Sequence, residues 1–146
     1  MAEYSTILVT TDFSEQSLPG VKAAADLARR LDAEVSVLHV VQNPLPPIVP
    51  FASERDLERI LESYQKHAAE KLETFAGEHL DGWVVETAVT VGVPSEEIVR
   101  FAEKRGVDLI VMASRGYGPL RQVALGSTTE RVLHHAPCPV LVVRSK

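Results

Sequence analysis

Apolar residues in this chain come in two patterns that alternate along its length. The stretches "TILVTTD" (6–12), "AEVSVLHVV" (33–41), "WVVETAVTV" (83–91), "VDLIVMA" (107–113) and "CPVLVVRS" (138–145) are short runs rich in β-branched residues. Each is predicted to be a strand. Between them the apolar residues recur every three or four positions. In 14–31 these are Val21, Ala24, Ala25, Leu27, Ala28 and Leu31, which predicts a helix with Pro19 near its first turn, since proline lacks the donor that an interior turn needs. From Ser53 to about Gly77, Leu57, Ile60, Leu61, Tyr64, Ala68, Leu72 and Phe75 share one helical face. The segment 92–106 predicts a short helix with Pro94 at its start, acidic residues in its first turn and Gly106 at its close. A last helix is predicted over 126–137.

Strands that alternate with helices predict an α/β fold with a mostly parallel sheet. The first, second, fourth and fifth runs are almost continuously apolar, as strands covered by helices on both faces are. The third carries Glu and Thr, which predicts one partly wet face. No internal repeat or low-complexity tract interrupts the pattern. Residues 42–53 hold four prolines and read as an irregular loop. In sheets of this kind ligands bind beyond the carboxyl ends of the strands. The segments at that level are "TTDFS", "VVQNP" and "ASRGYG".

Composition narrows the function. A length of 146 residues suits one domain over 1–146, with 45% hydrophobic and 24% charged residues. The net charge of -5 argues against a nucleic-acid partner. Cys138 is the single cysteine, so no intrachain disulfide forms, in keeping with a reducing compartment. No apolar run is long enough for a bilayer, and "MAEYSTILV" lacks a basic region followed by an apolar one. The expectation is a cytoplasmic protein without a membrane partner.

The segment "ASRGYGPLRQVALGSTTERV" (113–132) carries the most suggestive chemistry. Gly116 and Gly118 let a loop fold tightly and bring its N–H groups near a ligand. Gly126-Ser127-Thr128 then opens a helix, whose unpaired first-turn amides favour an anion. The same residues also read as a capping box, Ser127-x-x-Glu130, with no ligand at all. Asp12, just past the first strand, is placed to accept hydrogen bonds from ribose hydroxyls; it, or Ser14, equally suits a helix cap. None of the five histidines pairs with another His or Cys at metal-ligand spacing. His39 reads as a satisfied core residue and Cys138 as buried and inert. No G-x-S-x-G, Walker loop or C-x-x-C is present, and no serine has an evident base. No catalytic residue is expected, and hydrolysis of a bound nucleotide would at most be slow.

From "ILVTTDFSEQS" to "APCPVLVV" the chain resembles the universal stress protein family. The family's ATP-binding branch is marked by G-x2-G-x9-G-[ST], and here Ala113-x2-Gly116-x9-Gly126-Ser127 keeps the spacing with alanine in place of the first glycine. Thr10 also departs from the family, which has proline before Thr-Asp. The resemblance implies a five-stranded parallel sheet in the order 3-2-1-4-5, homodimers, and ATP, with or without Mg or Mn. Carried across, Thr10, Thr11 and Asp12 would border the ribose or adenine, and Val40 would pair its backbone with the adenine edge. Met112 and Ala113 would lie against the ribose. Gly116, Gly126, Ser127 and Thr128 would surround the phosphates. Arg115, inside the glycine loop, could add a charge-assisted bond to a phosphate. With that strand order "PVLVV" lies at a sheet edge, which predicts a homodimer through residues 139–144. Two other readings stay open: a nucleotide-independent dimeric interaction protein of the same fold, and a weak ATPase or adenylate-handling enzyme.

Overall fold

The computed structural model describes residues 3–42, 52–80, 82–114 and 125–144. The β-branched runs form strands: β1 (Thr6–Thr10), β2 (Glu34–Val41), β3 (Val84–Val91), β4 (Leu109–Ala113) and β5 (Val140–Val143). The periodic stretches form helices: α1 (Leu18–Leu31), α2 (Glu54–His79), α3 (Pro94–Arg105) and α4 (Ser127–His135). The strands make one sheet in the order β3-β2-β1-β4-β5. Every pairing is parallel, with Ile7 opposite both Val35 and Leu109, and Val111 opposite Leu141.

The period-two alternation sends side chains to two cores. On one face Ile7, Val9, Val35, Val37 and Val111 pack against Val21, Ala24 and Ala28 of α1 and Leu72 of α2. On the other, Leu8, Leu38, Ile110 and Met112 meet Ile98, Phe101 and Ala102 of α3 and Val132 of α4. Ile7, Leu8 and Val9 are wholly buried, so both faces of the central strand are covered. Each such side chain contributes about 1.5–3 kcal/mol by leaving water.

Local signals act where the sequence places them, with three corrections. Pro94 opens α3, and Gly106 closes it at a φ of 61°, a backbone angle that suits glycine. The helix expected from residue 14 begins instead at Leu18, after a 3-10 turn over Glu15–Ser17 that keeps Pro19 in the first α-turn. Of the expected apolar stripe of α2 only Ala68 and Leu72 are buried, with Ala76 buried beside them, while Ile60 and Tyr64 are exposed. A 26-residue helix is about 39 Å long, against about 26 Å for the eight-residue strand beneath, so its N-terminal half overhangs the sheet. A capping box does form, but at Ser53 and Asp56 of α2: the Asp56 amide donates to Ser53 Oγ at 3.2 Å, and the Ser53 amide donates back to Asp56 Oδ2.

β1 and β4 are tied at their starts by Asp108, whose Oδ2 accepts from Ser5 N, Ser5 Oγ and Thr6 N at 2.9–3.0 Å. Strand β5 lies at the edge, as the resemblance implied, and Leu141 is exposed there. Among the described residues no helix is long and apolar enough to cross a membrane.

Candidate functional site

The chain leaves β2 on one side of β1 and reaches β4 on the other, so strand order reverses between β1 and β4. A crevice opens at the carboxyl end of that point. Its first wall is the turn after β1. Thr11 is buried, and its amide donates to the Leu38 carbonyl at 3.1 Å. Thr11 Oγ1 accepts from Phe13 N at 3.0 Å and lies 2.9 Å from Ser17 Oγ. The Ser17 hydroxyl donates to the Ser14 carbonyl at 2.7 Å, which uses its one proton, so Thr11 donates to Ser17.

Asp12 Oδ1 accepts from the Ser14 amide at 2.9 Å and from the Ser14 hydroxyl. The cap expected of Asp12 or Ser14 thus takes another form: neither side chain caps α1, and Asp12 braces the turn before it. Among the described residues no hydrogen bond reaches Asp12 Oδ2. His39 Nδ1 lies 2.8 Å from the Thr11 carbonyl, which can only accept, so that nitrogen carries the proton. Burial lowers the His39 pKa from the usual histidine value, outweighing the Thr11 hydrogen bond and the Asp12 charge that would raise it, so the ring is held toward neutrality.

The second wall is the backbone of β2. The Leu38 carbonyl points toward β1, and the Val41 carbonyl points the other way, accepting from Gly92 N at 3.0 Å. Alternation along the strand turns the N–H and C=O of Val40 to the Leu38 side. β1 ends opposite Leu38, so these two groups face the crevice rather than a neighbouring strand.

The third wall joins β4 to α4. Ala113 is paired with Val143 in the sheet, and its φ is not positive; among non-glycine residues described, only Phe13 and Asp32 have positive φ. The position expected to hold glycine therefore has an extended backbone that alanine adopts without strain. The Ser114 carbonyl accepts from Gly126 N at 2.9 Å, which brings the start of α4 back to the end of β4. The capping box expected at Ser127 and Glu130 is not formed. Gly126 is the N-cap, Ser127 is already the first helical residue, and among the described residues no side chain caps this end. Starting one residue earlier than the box requires moves the Ser127 hydroxyl off the cap position, and the Glu130 amide pairs with the Gly126 carbonyl at 3.0 Å. The first-turn amides of Ser127, Thr128 and Thr129 have no partner within an α-helix. Thr129 Oγ1 donates to the Ala113 carbonyl at 3.1 Å and anchors the helix start.

Together these walls enclose a cleft of about 370 Å³, within the usual range for small-molecule sites. Of the residues anticipated from the sequence, Thr10, Thr11, Asp12, Val40, Met112, Ala113, Gly126, Ser127 and Thr128 line it. Arg115 and Gly116 lie outside the described residues. Ser17, Leu38, Gln42, Pro94, Ile98 and Thr129 also line it and were not anticipated. Leu38 was within reach of the sequence, because a strand residue two before Val40 shares its face. Pro94 and Ile98 carried only a helix-start and a core signal. Leu38, Val40, Ile98 and Met112 supply apolar lining, Asp12 a carboxylate, and the start of α4 its first-turn amides. Among the described residues no three His, Cys, Asp or Glu side chains cluster to hold a metal. Cys138 is half-buried, and burial, with the Asp108 charge adding to it, pushes its thiol pKa up, away from the reactive thiolate.

Comparison with known proteins gives a consistent picture. A model of the universal stress protein family matches residues 3–144. Universal stress protein MJ0531 of Methanocaldococcus jannaschii is 40% identical over 97% of this chain and 82% of its own length. The solved structure of MJ0577, from the same organism, superposes with a TM-score of 0.82 at 34% identity, covering 99% of this chain and 98% of that one. A universal stress protein solved in complex with cAMP has a TM-score of 0.63 over 98% of each chain; at 23% identity it is alike in fold.

Proposed function

Since the chain belongs to the universal stress protein family, we propose that it binds ATP in this cleft and acts as a cytoplasmic, homodimeric regulatory protein. The observation that carries this reading is a convergence: four segments far apart in sequence, the turn after β1, the end of β2, the start of α3 and the β4–α4 junction, bring apolar side chains, a carboxylate and first-turn helix amides to one cleft. The chemistry of a nucleoside triphosphate asks for these three kinds of group. The apolar lining from Val40, Ile98 and Met112 suits a flat base, and the backbone groups of Val40 can read its edge. Asp12 Oδ2 can accept from ribose hydroxyls. The first turn of α4 meets the phosphates with N–H groups and the positive end of the helix dipole.

These residues fit ATP as the ligand. Mg or Mn would enter on the phosphate oxygens, with Ser127 and Thr128 hydroxyls nearby on the chain. The described lining offers one carboxylate and several hydroxyls, a set for holding a nucleotide rather than for activating water. The cAMP complex of a protein of this fold supports an adenine nucleotide as the class of ligand. Homodimerisation is supported by the open edge of β5 and the exposed Leu141. Sedimentation should find a dimer at micromolar concentration; a monomer would remove that part of the proposal.

Isothermal titration of ATP is the direct test. Micromolar binding is expected, with Asp12→Ala weakening it by about tenfold or more. Saturation at 100 times Kd should raise the stability by about 2.7 kcal/mol. Neither heat nor a thermal shift with ATP, ADP or AMP would overturn the reading. Ala113 motivates one alternative, a dimeric interaction protein that needs no nucleotide. A gain of ATP binding in Ala113→Gly over a silent parent would favour it.

A further inference from the structure

Asp12 stands between Thr11 and Phe13, each fixed by contacts of its own. Thr11 is fixed through its carbonyl by His39 and through its hydroxyl by Ser17 and the Phe13 amide. Phe13 has a φ of 66°, an outlier for an aromatic residue. Its ring lies 4.3 Å from the His39 ring and 5.7 Å, edge to face, from Phe75 of α2. Lys71 Nζ of the same helix sits 4.5 Å from its centroid, in cation–π range. The left-handed backbone at Phe13 closes the turn in which the Ser14 amide meets Asp12 Oδ1 at 2.9 Å. Unfavourable backbone angles persist where the surroundings over-determine them, and such sites cluster at ligand clamps.

We infer that Phe13 is the positioning residue for Asp12: gripped by Phe75, Lys71 and His39, it holds the turn that aims the cleft's carboxylate, and so couples α2 to the ligand site across the sheet. The inference rests on the nucleotide reading for its ligand, and its structural core can be measured without one.

The test is a double-mutant cycle on the full chain, with ATP as the probe. Phe13→Leu is expected to weaken ATP binding about tenfold while Asp12 is present, and less than about twofold in an Asp12→Ala background. The difference in binding loss between the two backgrounds is the readout that a merely structural role would not produce. Equal losses of affinity in both backgrounds would overturn the inference. Should Phe13→Leu not fold, Lys71→Gln, at an exposed residue, is the second variant. It is expected to weaken binding by about threefold, again only with Asp12 in place, and equal losses in both backgrounds would overturn the clamp. Amide exchange without ligand separates this inference from the nucleotide reading. The Ser14 amide should exchange about tenfold faster in Phe13→Leu or Lys71→Gln, with Val37 unchanged. Unchanged Ser14 exchange overturns the clamp whether or not ATP binds. Faster exchange in a protein that binds no ATP upholds the clamp and overturns the nucleotide reading alone.

Discussion

The hydroxyl of Thr129 donates to the carbonyl of Ala113, so the first turn of α4 is bonded directly to the last residue of β4. Thr129 is buried, so water does not stand ready to replace this bond. Thr129→Val keeps the shape and removes the donor, leaving an acceptor short of a partner. A loss of about 1–2 kcal/mol of unfolding free energy, read from a lower denaturant midpoint, is expected. The start of α4 should loosen with it, so ATP affinity should fall as well. A variant as stable as the parent would show that the bond contributes nothing.

Gly20 makes the matching contact from beneath. A Cβ at this position of α1 would lie 3.0 Å from the backbone nitrogen of Ala113 and 3.2 Å from the carbonyl carbon of Met112. Both are backbone atoms of a buried strand and cannot swing aside. Gly20→Ala gains about 1 kcal/mol of helix propensity, but overpacking costs about 1–3 kcal/mol. Net destabilisation is expected, along with weaker ATP binding, because Met112 and Ala113 form the cleft wall. Chemical unfolding and titration would measure both.

Ser127→Asp should move stability and binding in opposite directions. A carboxylate at the first residue of α4 complements the helix dipole and is worth about 0.3–1 kcal/mol. The same charge faces the proposed triphosphate and should weaken ATP binding by about tenfold or more, most strongly at low salt. Thermal melts and titration at two ionic strengths would read it. Unchanged affinity would place the phosphates elsewhere.

Two groups contribute to the acid limb of stability. Burial works to raise the Asp108 pKa, but the hydrogen bonds from Ser5 and Thr6 outweigh it and hold the carboxyl below its ordinary value of 3.8. The folded state therefore releases this proton more readily than the unfolded chain does. That stabilisation is complete above the unfolded value and is lost as pH falls through the folded one. His39, lowered chiefly by burial, binds its proton less readily folded than unfolded. Stability should thus begin to decline once pH drops below about 6.5, well before the Asp108 window. Urea midpoints across pH should show both declines. His39→Gln should remove the upper one and Asp108→Asn should flatten the lower one.

Much of the architecture was legible because it is local. Period-two and period-three-to-four patterns reflect which face a side chain takes, so strands and helices followed from spacing, and Pro94 and Gly106 marked the ends of α3. What went astray depended on distance or on a single residue of register. The overhang of α2 is a comparison between a helix length and a strand length in another part of the chain. The capping box at Ser127 failed by one position, while the one at Ser53 went unrecognised in a sequence that spells Ser-x-x-Asp.

The sequence alone therefore determined the elements, their alternation and the residues at the carboxyl ends of β1, β2 and β4, since these follow from backbone preference and side-chain periodicity. Only the tertiary structure decided that α3 contributes Pro94 and Ile98 to the cleft, that β1 stops opposite Leu38, two residues short of Val40, and that α2 reaches Phe13 across the sheet face. Those relationships join residues tens of positions apart, and they arise from packing and hydrogen-bond satisfaction, which no local pattern encodes.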